Sequence, residues 1–179
     1  MNRIMQALIF CSFAAAAGAS DIDLAAVTSL RVDLEQVVEL GTVSAVDGVT
    51  SAGQPSEAAL EVFADAGYVA VIDLRGAQED RGLDEARVVD ELGMHYVALP
   101  IAGRDAVNFD NAKKLDELLM KFDGPVLVHC AAGNRVGALL ALRAYLHGAS
   151  EEGALEHGKE GGLTKLEDTV RERLAEGAQ

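Results

Sequence analysis

The stretch VLVHCAAGNRVGALLAL, Val126 to Leu142, admits few folds. Val126 to His129 is an apolar run of strand length, introduced by the turn residues Asp123-Gly124-Pro125. A short loop of small residues follows, and from Val136 the chain is apolar again over a length suited to a helix. A strand that leaves through such a loop and returns as a buried helix is half of a parallel-sheet βαβ unit.

The same alternation runs through the chain. The pattern predicts a helix over about 57–66, with Leu60, Val62, Phe63 and Ala66 available for its inner face and Gly67 as its stop. Val69 to Leu74 is a continuous apolar run, as expected of a strand covered on both sides. A helix over 84–92, a strand from His95 to Leu99 and a loop from Pro100 to Val107 come next. An amphipathic helix from Phe109 to Phe122 follows, with Leu115, Leu118 and Leu119 on one side. After the Val126–His129 strand, helices are expected over 136–147, 150–158 and 163–176, the last two separated by Gly161-Gly162. Two short alternating runs around Asp47-Gly48 predict a hairpin over Val43 to Ala52. Residues 22–40 show no clear pattern. The expected fold is α/β: one domain with a mostly parallel sheet flanked by helices.

The first residues carry a different pattern. Arg3, an apolar run from Ile4 to Ala17 and the A-x-A-like Ala17-Gly18-Ala19 predict a signal peptide over residues 1–19 and export, to the periplasm in a bacterium. The run is too short and too Ala-rich for a stable membrane span, so no anchor is expected after cleavage. The division expected is a signal peptide (1–19), an N-terminal segment (20–40) and the main domain (41–176). Cleavage would remove Cys11, leaving Cys130 as a single thiol without an intramolecular partner in an oxidising compartment. Such a cysteine is either buried and inert or present for its reactivity. The formal charge of −14 argues against nucleic acid or an anionic membrane surface as partner.

Open parallel sheets bind ligands beyond the carboxyl ends of their strands, which gathers three loops: 75–82, 100–109 and 130–135. The third carries the most specific chemistry. Cys130 stands where a strand ends and a helix begins, and the partial positive charge of that helix N-terminus favours a thiolate. The backbone N–H groups of Ala131, Ala132, Gly133, Asn134 and Arg135 have no helical partners and can curl around an anion. Gly133 supplies the required backbone freedom. Arg135 offers a planar fork of donors, and His129 beside it would help ionise the thiol. A lone cysteine at the end of a buried strand more often packs as a small hydrophobe. The whole set His-Cys-x-x-Gly-x-Arg, between apolar strand and apolar helix, favours the anion-binding reading instead. His95, His147 and His157 show no metal-ligand spacing, so neither a metal nor a cofactor is expected.

From about Gly41 to Leu174 the chain resembles the bacterial dual-specificity and tyrosine-phosphatase-like proteins related to the phosphatase-like domain of β-lactamase-hydrolase-like proteins. Gly53-Gln54-Pro55, Ile72-Asp73-Leu74-Arg75, Leu99-Pro100-Ile101-Ala102-Gly103 and above all His129 to Gly137 carry the likeness. It implies a cysteine-phosphatase-like fold and hydrolysis of phosphomonoesters, small or on a phosphoprotein. Cys130 would be the nucleophile, with Arg135 and the loop amides holding the oxyanion together with His129. By the family's topology the general acid lies after the strand ending at Leu99, with Asp105 the candidate and Asp110 second. Asp110 also fits a helix start on dipole grounds alone. Arg75 and Arg104 are candidate sources of further positive charge.

Two departures leave other readings open. Four residues separate Cys130 from Arg135, where such phosphatases have five, and Val136 stands where they place Ser or Thr. Four is the spacing of rhodanese-like sulfurtransferases, so a persulfide carrier using Cys130 is one alternative. A non-catalytic anion-binding or redox-sensing module is another.

Overall fold

The computed structural model describes residues 29–45 and 48–178; the expected signal peptide and Asp47 lie outside them. Five strands form one sheet in the order β1-β2-β5-β3-β4: β1 (Ser29–Arg31), β2 (Val49–Ala52), β3 (Ala70–Asp73), β4 (His95–Ala98) and β5 (Val126–His129). Every neighbouring pair is parallel. The described helices are α1 (Leu34–Leu40), α2 (Glu57–Asp65), α3 (Glu85–Glu91), α4 (Phe109–Leu119), α5 (Asn134–Leu146), α6 (Glu151–Glu160) and α7 (Glu167–Glu176).

Period-2 alternation along the strands divides the core into two layers. Ala70, Ile72, Val126 and Val128 face the layer built with α4, α5, α6 and α7. Val71 and Leu127 face the other, built with α1, α2 and α3. Helix α5 is the centre of the first layer, with every residue from Val136 to Ala144 buried. A helix buried on all sides is expected to be apolar all round, and the buried stretch is so except for Arg143, which pairs with Asp116.

The expected helices and strands after residue 56 are all present, with ends shifted by a few residues. Helix α4 stops at Leu119 rather than Phe122, and α5 begins at Asn134, two residues earlier than the pattern suggested. Gly133, in the left-handed region at φ 81°, turns the chain directly into that helix.

Two expectations fail. The hairpin over Val43–Ala52 is not found among the described residues: residues 42–45 form no strand, and β2 pairs in parallel with β1 and β5. Thr50 and Ser51 gave the stretch its alternating look, but both are fully buried. The Thr50 hydroxyl meets the Tyr68 hydroxyl at 2.5 Å, and Ser51 donates to the Gly161 carbonyl at 2.5 Å. Residues 29–40, set apart as an N-terminal segment, are instead part of the domain, supplying the edge strand β1 and helix α1. Asp33 caps α1 by accepting from the amides of Glu35 and Gln36.

Helix α5 meets α6 and the following turn through glycine. A Cβ at Gly137 would stand 2.5 Å from the Gly158 carbonyl oxygen and nearer still to the amide nitrogen of Leu163. Both obstacles are backbone, so neither can rotate away. Gly137→Ala should therefore lower unfolding stability by about 2 kcal/mol through overpacking, read as a fall in the urea midpoint at unchanged m-value.

Candidate active site

Register explains the floor of the site. β3 and β5 pair so that Asp73 lies opposite His129, and both follow the alternation onto the α1–α3 face. Glu85, the first residue of α3, is buried over the same spot. Asp73, Glu85 and His129 are thus at most 1% exposed and mutually close, an arrangement that demands pairing. His129 Nε2 stands 2.7 Å from Glu85 Oε1 and 3.7 Å from Asp73 Oδ1. The shorter contact has ion-pair distance without hydrogen-bond alignment. Asp73 Oδ2 accepts from Arg81 Nε at 2.6 Å and from the Tyr96 hydroxyl at 2.8 Å. Burial first, and then that bond to Asp73, push the Tyr96 hydroxyl up from its ordinary value.

These three residues offer ligand atoms within 4.8 Å of one another, a grouping no local spacing in the sequence announces. The Arg81 guanidinium already supplies a cation beside Asp73. His129, grouped by the sequence with the oxyanion-holding residues, therefore turns its ring away from the loop to the opposite face.

Cys130 continues the alternation to the other side, packing with Val128 and Val136 at 1% exposure. Its amide donates to the Ala52 carbonyl at 3.5 Å, and the loop is held further by the amide of Gln54, which donates to the Ala131 carbonyl at 3.3 Å. Gly53 forms an antiparallel bridge with Ala132. A Cβ at Gly53 would approach the Ala131 oxygen to 3.3 Å, which is the close approach that residue permits. Among the described residues, the amides of Ala131, Ala132, Asn134, Arg135 and Val136 donate to no carbonyl or side chain. These donors stand at the start of α5, where the first N–H groups of a helix have no intrahelical partner. The Asn134 side chain is occupied elsewhere, accepting from the Thr164 amide at 2.8 Å.

Arg135, in the first turn of α5, is gripped end-on. Its Nη1 donates to Glu79 Oε1 at 2.5 Å and its Nη2 to Glu79 Oε2 at 2.8 Å; Nη1 also reaches the Ile101 carbonyl at 3.3 Å. A guanidinium has five N–H groups in a plane, so this leaves the edge with Nε–H and the second Nη2–H for an anion. The bond to Glu79 holds Arg135 more firmly protonated than usual, with Cys130 adding to it against the effect of burial. In return Arg135 draws Glu79 down to about 2. Glu79 is fixed from behind: it accepts from the Gly76 amide at 2.7 Å and from Arg75 Nε at 3.3 Å.

The other candidates lie nearby in the fold but not in this network. Asp105 is exposed in the loop after β4, a loop tied to the site because the Ile101 amide donates to the Leu74 carbonyl. No partner of the Asp105 carboxylate is found among the described residues. Asp110 occupies the first turn of α4 behind its cap Asn108, the helix-start position that its dipole favours. Arg104 is exposed. Glu79, Glu85 and Arg81, which the sequence reading passed over, prove central to the network. An open cleft of ≈ 440 Å³ borders the loop at Ala131 and Ala132, lined also by Arg31, Gly53 and Gln54. A second cavity, at Asp116, Arg143 and His147, opens at the amino ends of β2 and β5, away from the cysteine.

Comparison with curated proteins finds no match. Solved structures share the fold at low identity. The Neisseria meningitidis protein nma1982 superposes with a TM-score of 0.62 at 22% identity, covering 73% of this chain and 93% of that one. A DUF442 protein of Shewanella putrefaciens gives 0.57 at 21%, covering 82% and 99%. Tk-PTP in its active form gives 0.53 at 20%, covering 73% and 92%. The chain thus shares the overall fold of these phosphatase structures. The family described as DSP-PTPase phosphatase fused to NAD+ kinase matches residues 34–172, most of the chain, and the protein belongs to that family.

Proposed function

We propose that the protein hydrolyses phosphomonoesters through Cys130. The observation that carries this reading is the Arg135 fork: one edge is locked onto Glu79, and the other is left for an oxyanion beside a row of unpaired amides. The Cys130 thiolate attacks phosphorus, forming an S–P bond as the P–O ester bond breaks. Asp105 gives its proton to the departing oxygen. Water, deprotonated by the same carboxylate, then attacks the phosphocysteine; the S–P bond breaks, inorganic phosphate leaves and the thiolate is restored. Arg135 and the loop amides meet the equatorial oxygens throughout. The substrate is a small phosphorylated molecule or a phosphoprotein.

The test is turnover of para-nitrophenyl phosphate. Cys130→Ser should abolish it, and Arg135→Ala should lower kcat/KM by roughly a hundredfold or more, the size of a lost oxyanion donor. Wild-type activity surviving in Cys130→Ser would end the proposal. A parallel assay with thiosulfate and cyanide should give no Cys130-dependent thiocyanate.

Val136 is fully buried in the core and offers no hydroxyl to help the thiolate depart. The second step should therefore be the slow one. Rapid-quench kinetics should show a burst of nitrophenol close to one per enzyme, and Asp105→Asn should slow the burst itself, most for alkyl phosphates with poor leaving groups.

The clamp also sets a pH dependence. Glu79 in the folded protein titrates at about 2, below its ordinary 4.5. Its contribution to stability is complete above the unfolded value and is lost as pH falls through the folded one. Between about pH 4.5 and 2 the wild type should lose stability faster than Glu79→Gln, whose side chain has no proton to take up. Urea midpoints that fall in parallel for the two proteins would contradict this.

A further inference from the structure

Gln54 stands between a partly exposed group of charges and a buried one, and its carboxamide touches both. Its Oε1 accepts from Arg75 Nη1 at 2.5 Å, and its Nε2 donates to Glu85 Oε2 at 3.0 Å. The partners fix the orientation of the amide, since a guanidinium only donates and a carboxylate only accepts. Arg75 continues the chain to Glu79, and Glu79 to Arg135. Glu85 continues it in the other direction to His129 at the end of β5. A run of hydrogen bonds thus leads from Glu85 to the guanidinium beside Cys130, with Gln54 as a middle link, and the close Glu85–His129 contact takes it on to the sheet.

We propose that Gln54 is a positioning residue for Arg135, anchoring the Arg75–Glu79–Arg135 clamp to the buried Glu85–His129 pair. This rests on Arg135 being the oxyanion clamp of the cysteine loop. The amide supplies the acceptor that Arg75 needs and the donor that Glu85 needs at once. A carboxylate at position 54 would keep Arg75 but face Glu85 with like charge, and a lysine would do the reverse. The backbone of residue 54 holds the loop independently, through its amide to Ala131, so removing the side chain leaves that contact standing.

The experiment measures tungstate, a tetrahedral oxyanion, binding to the full chain by calorimetry. Gln54→Ala should weaken binding about tenfold, the lower end of the effect of losing a group that orients a ligand-binding residue. If the path acts as one unit, Gln54→Ala and Glu79→Gln should combine to much less than the product of their separate effects. Gln54→Glu supplies a readout that simple loosening would not move. At pH 8 it should bind as weakly as Gln54→Ala. Towards pH 5 a proton shared between the introduced carboxyl and Glu85 restores the missing donor, and affinity should recover towards the wild-type value measured at the same pH. The charged and titratable groups facing that position are Glu85 and Arg75 in contact, Asp33, Glu35 and Arg31 across the cleft, and His129, Asp73 and Arg81 beyond Glu85. Wild-type affinity in Gln54→Ala, independent effects in the double variant, or no pH recovery would each overturn the proposal. Arg135→Ala separates the two readings: if it weakens binding while Gln54→Ala does not, the Gln54 inference alone fails. If Arg135→Ala binds as the wild type does, the clamp reading fails and takes the inference with it.

Discussion

Two carboxylates with no access to water, Asp73 and Glu85, govern the carboxyl end of this sheet. An unpaired buried charge costs several kcal/mol, and removing one member of a buried pair costs about 3–5 kcal/mol because the other is left uncompensated. Asp73 is placed by strand register and cannot move, so its partners must come to it. Arg81 and Tyr96 do so from the loop after β3 and from β4, while Glu85 stands across from His129. Bringing Arg81 inward folds the segment 74–84 back over the strand ends, where its guanidinium also donates to the carbonyls of Glu79, Arg75 and Gly76. That fold presents Glu79 to Arg135. The geometry around the cysteine is thus a consequence of charge satisfaction one layer below it.

The helix that follows the cysteine imposes the second condition. Gly133 converts the chain to helix at once, so Arg135 falls within the first turn of α5 instead of beyond a longer loop. Helix α5 is in turn held close to α6 and to the Gly161-Gly162 turn by the absence of side chains at Gly137 and Gly158. Close packing fixes the height of its N-terminus against the strand ends, and with it the position of the unpaired amides.

What could be read from the chain beforehand was whatever local pattern encodes. Glycine stops and apolar periodicity are properties of a few consecutive residues, and they located the strands and helices after residue 56, while β1 and α1 carried no such pattern. β2 was misread because Val-Thr-Ser-Ala looks half-polar; only the distant acceptors at Tyr68 and Gly161 allow two hydroxyls to be fully buried. Glu79 lies 56 residues from Arg135, and Asp73 and His129 meet only through the register of β3 with β5. A carboxylate in a loop looks the same in sequence whether it is solvated or locked onto an arginine. His129 illustrates the converse. Being next to Cys130 in the chain suggested that the two side chains cooperate, but neighbours on a strand point to opposite faces, and its ring belongs to the floor.

Charge at the site is nearly balanced among side chains. Arg75, Arg81 and Arg135 are engaged by Glu79 and Asp73, and Glu85 faces His129, so little net positive charge remains to attract an anion over distance. With the whole chain at −14, long-range attraction of phosphorylated molecules is weak. On the proposed reading affinity comes at short range, from backbone N–H groups and one guanidinium edge already in place. Such donors act without reorganising, and they discriminate by shape more than by charge. A cradle of this kind favours a single tetrahedral oxyanion that fits the loop over a polyanion drawn to a positive surface. It also makes the rigidity of Arg135 matter more than the number of cations around it.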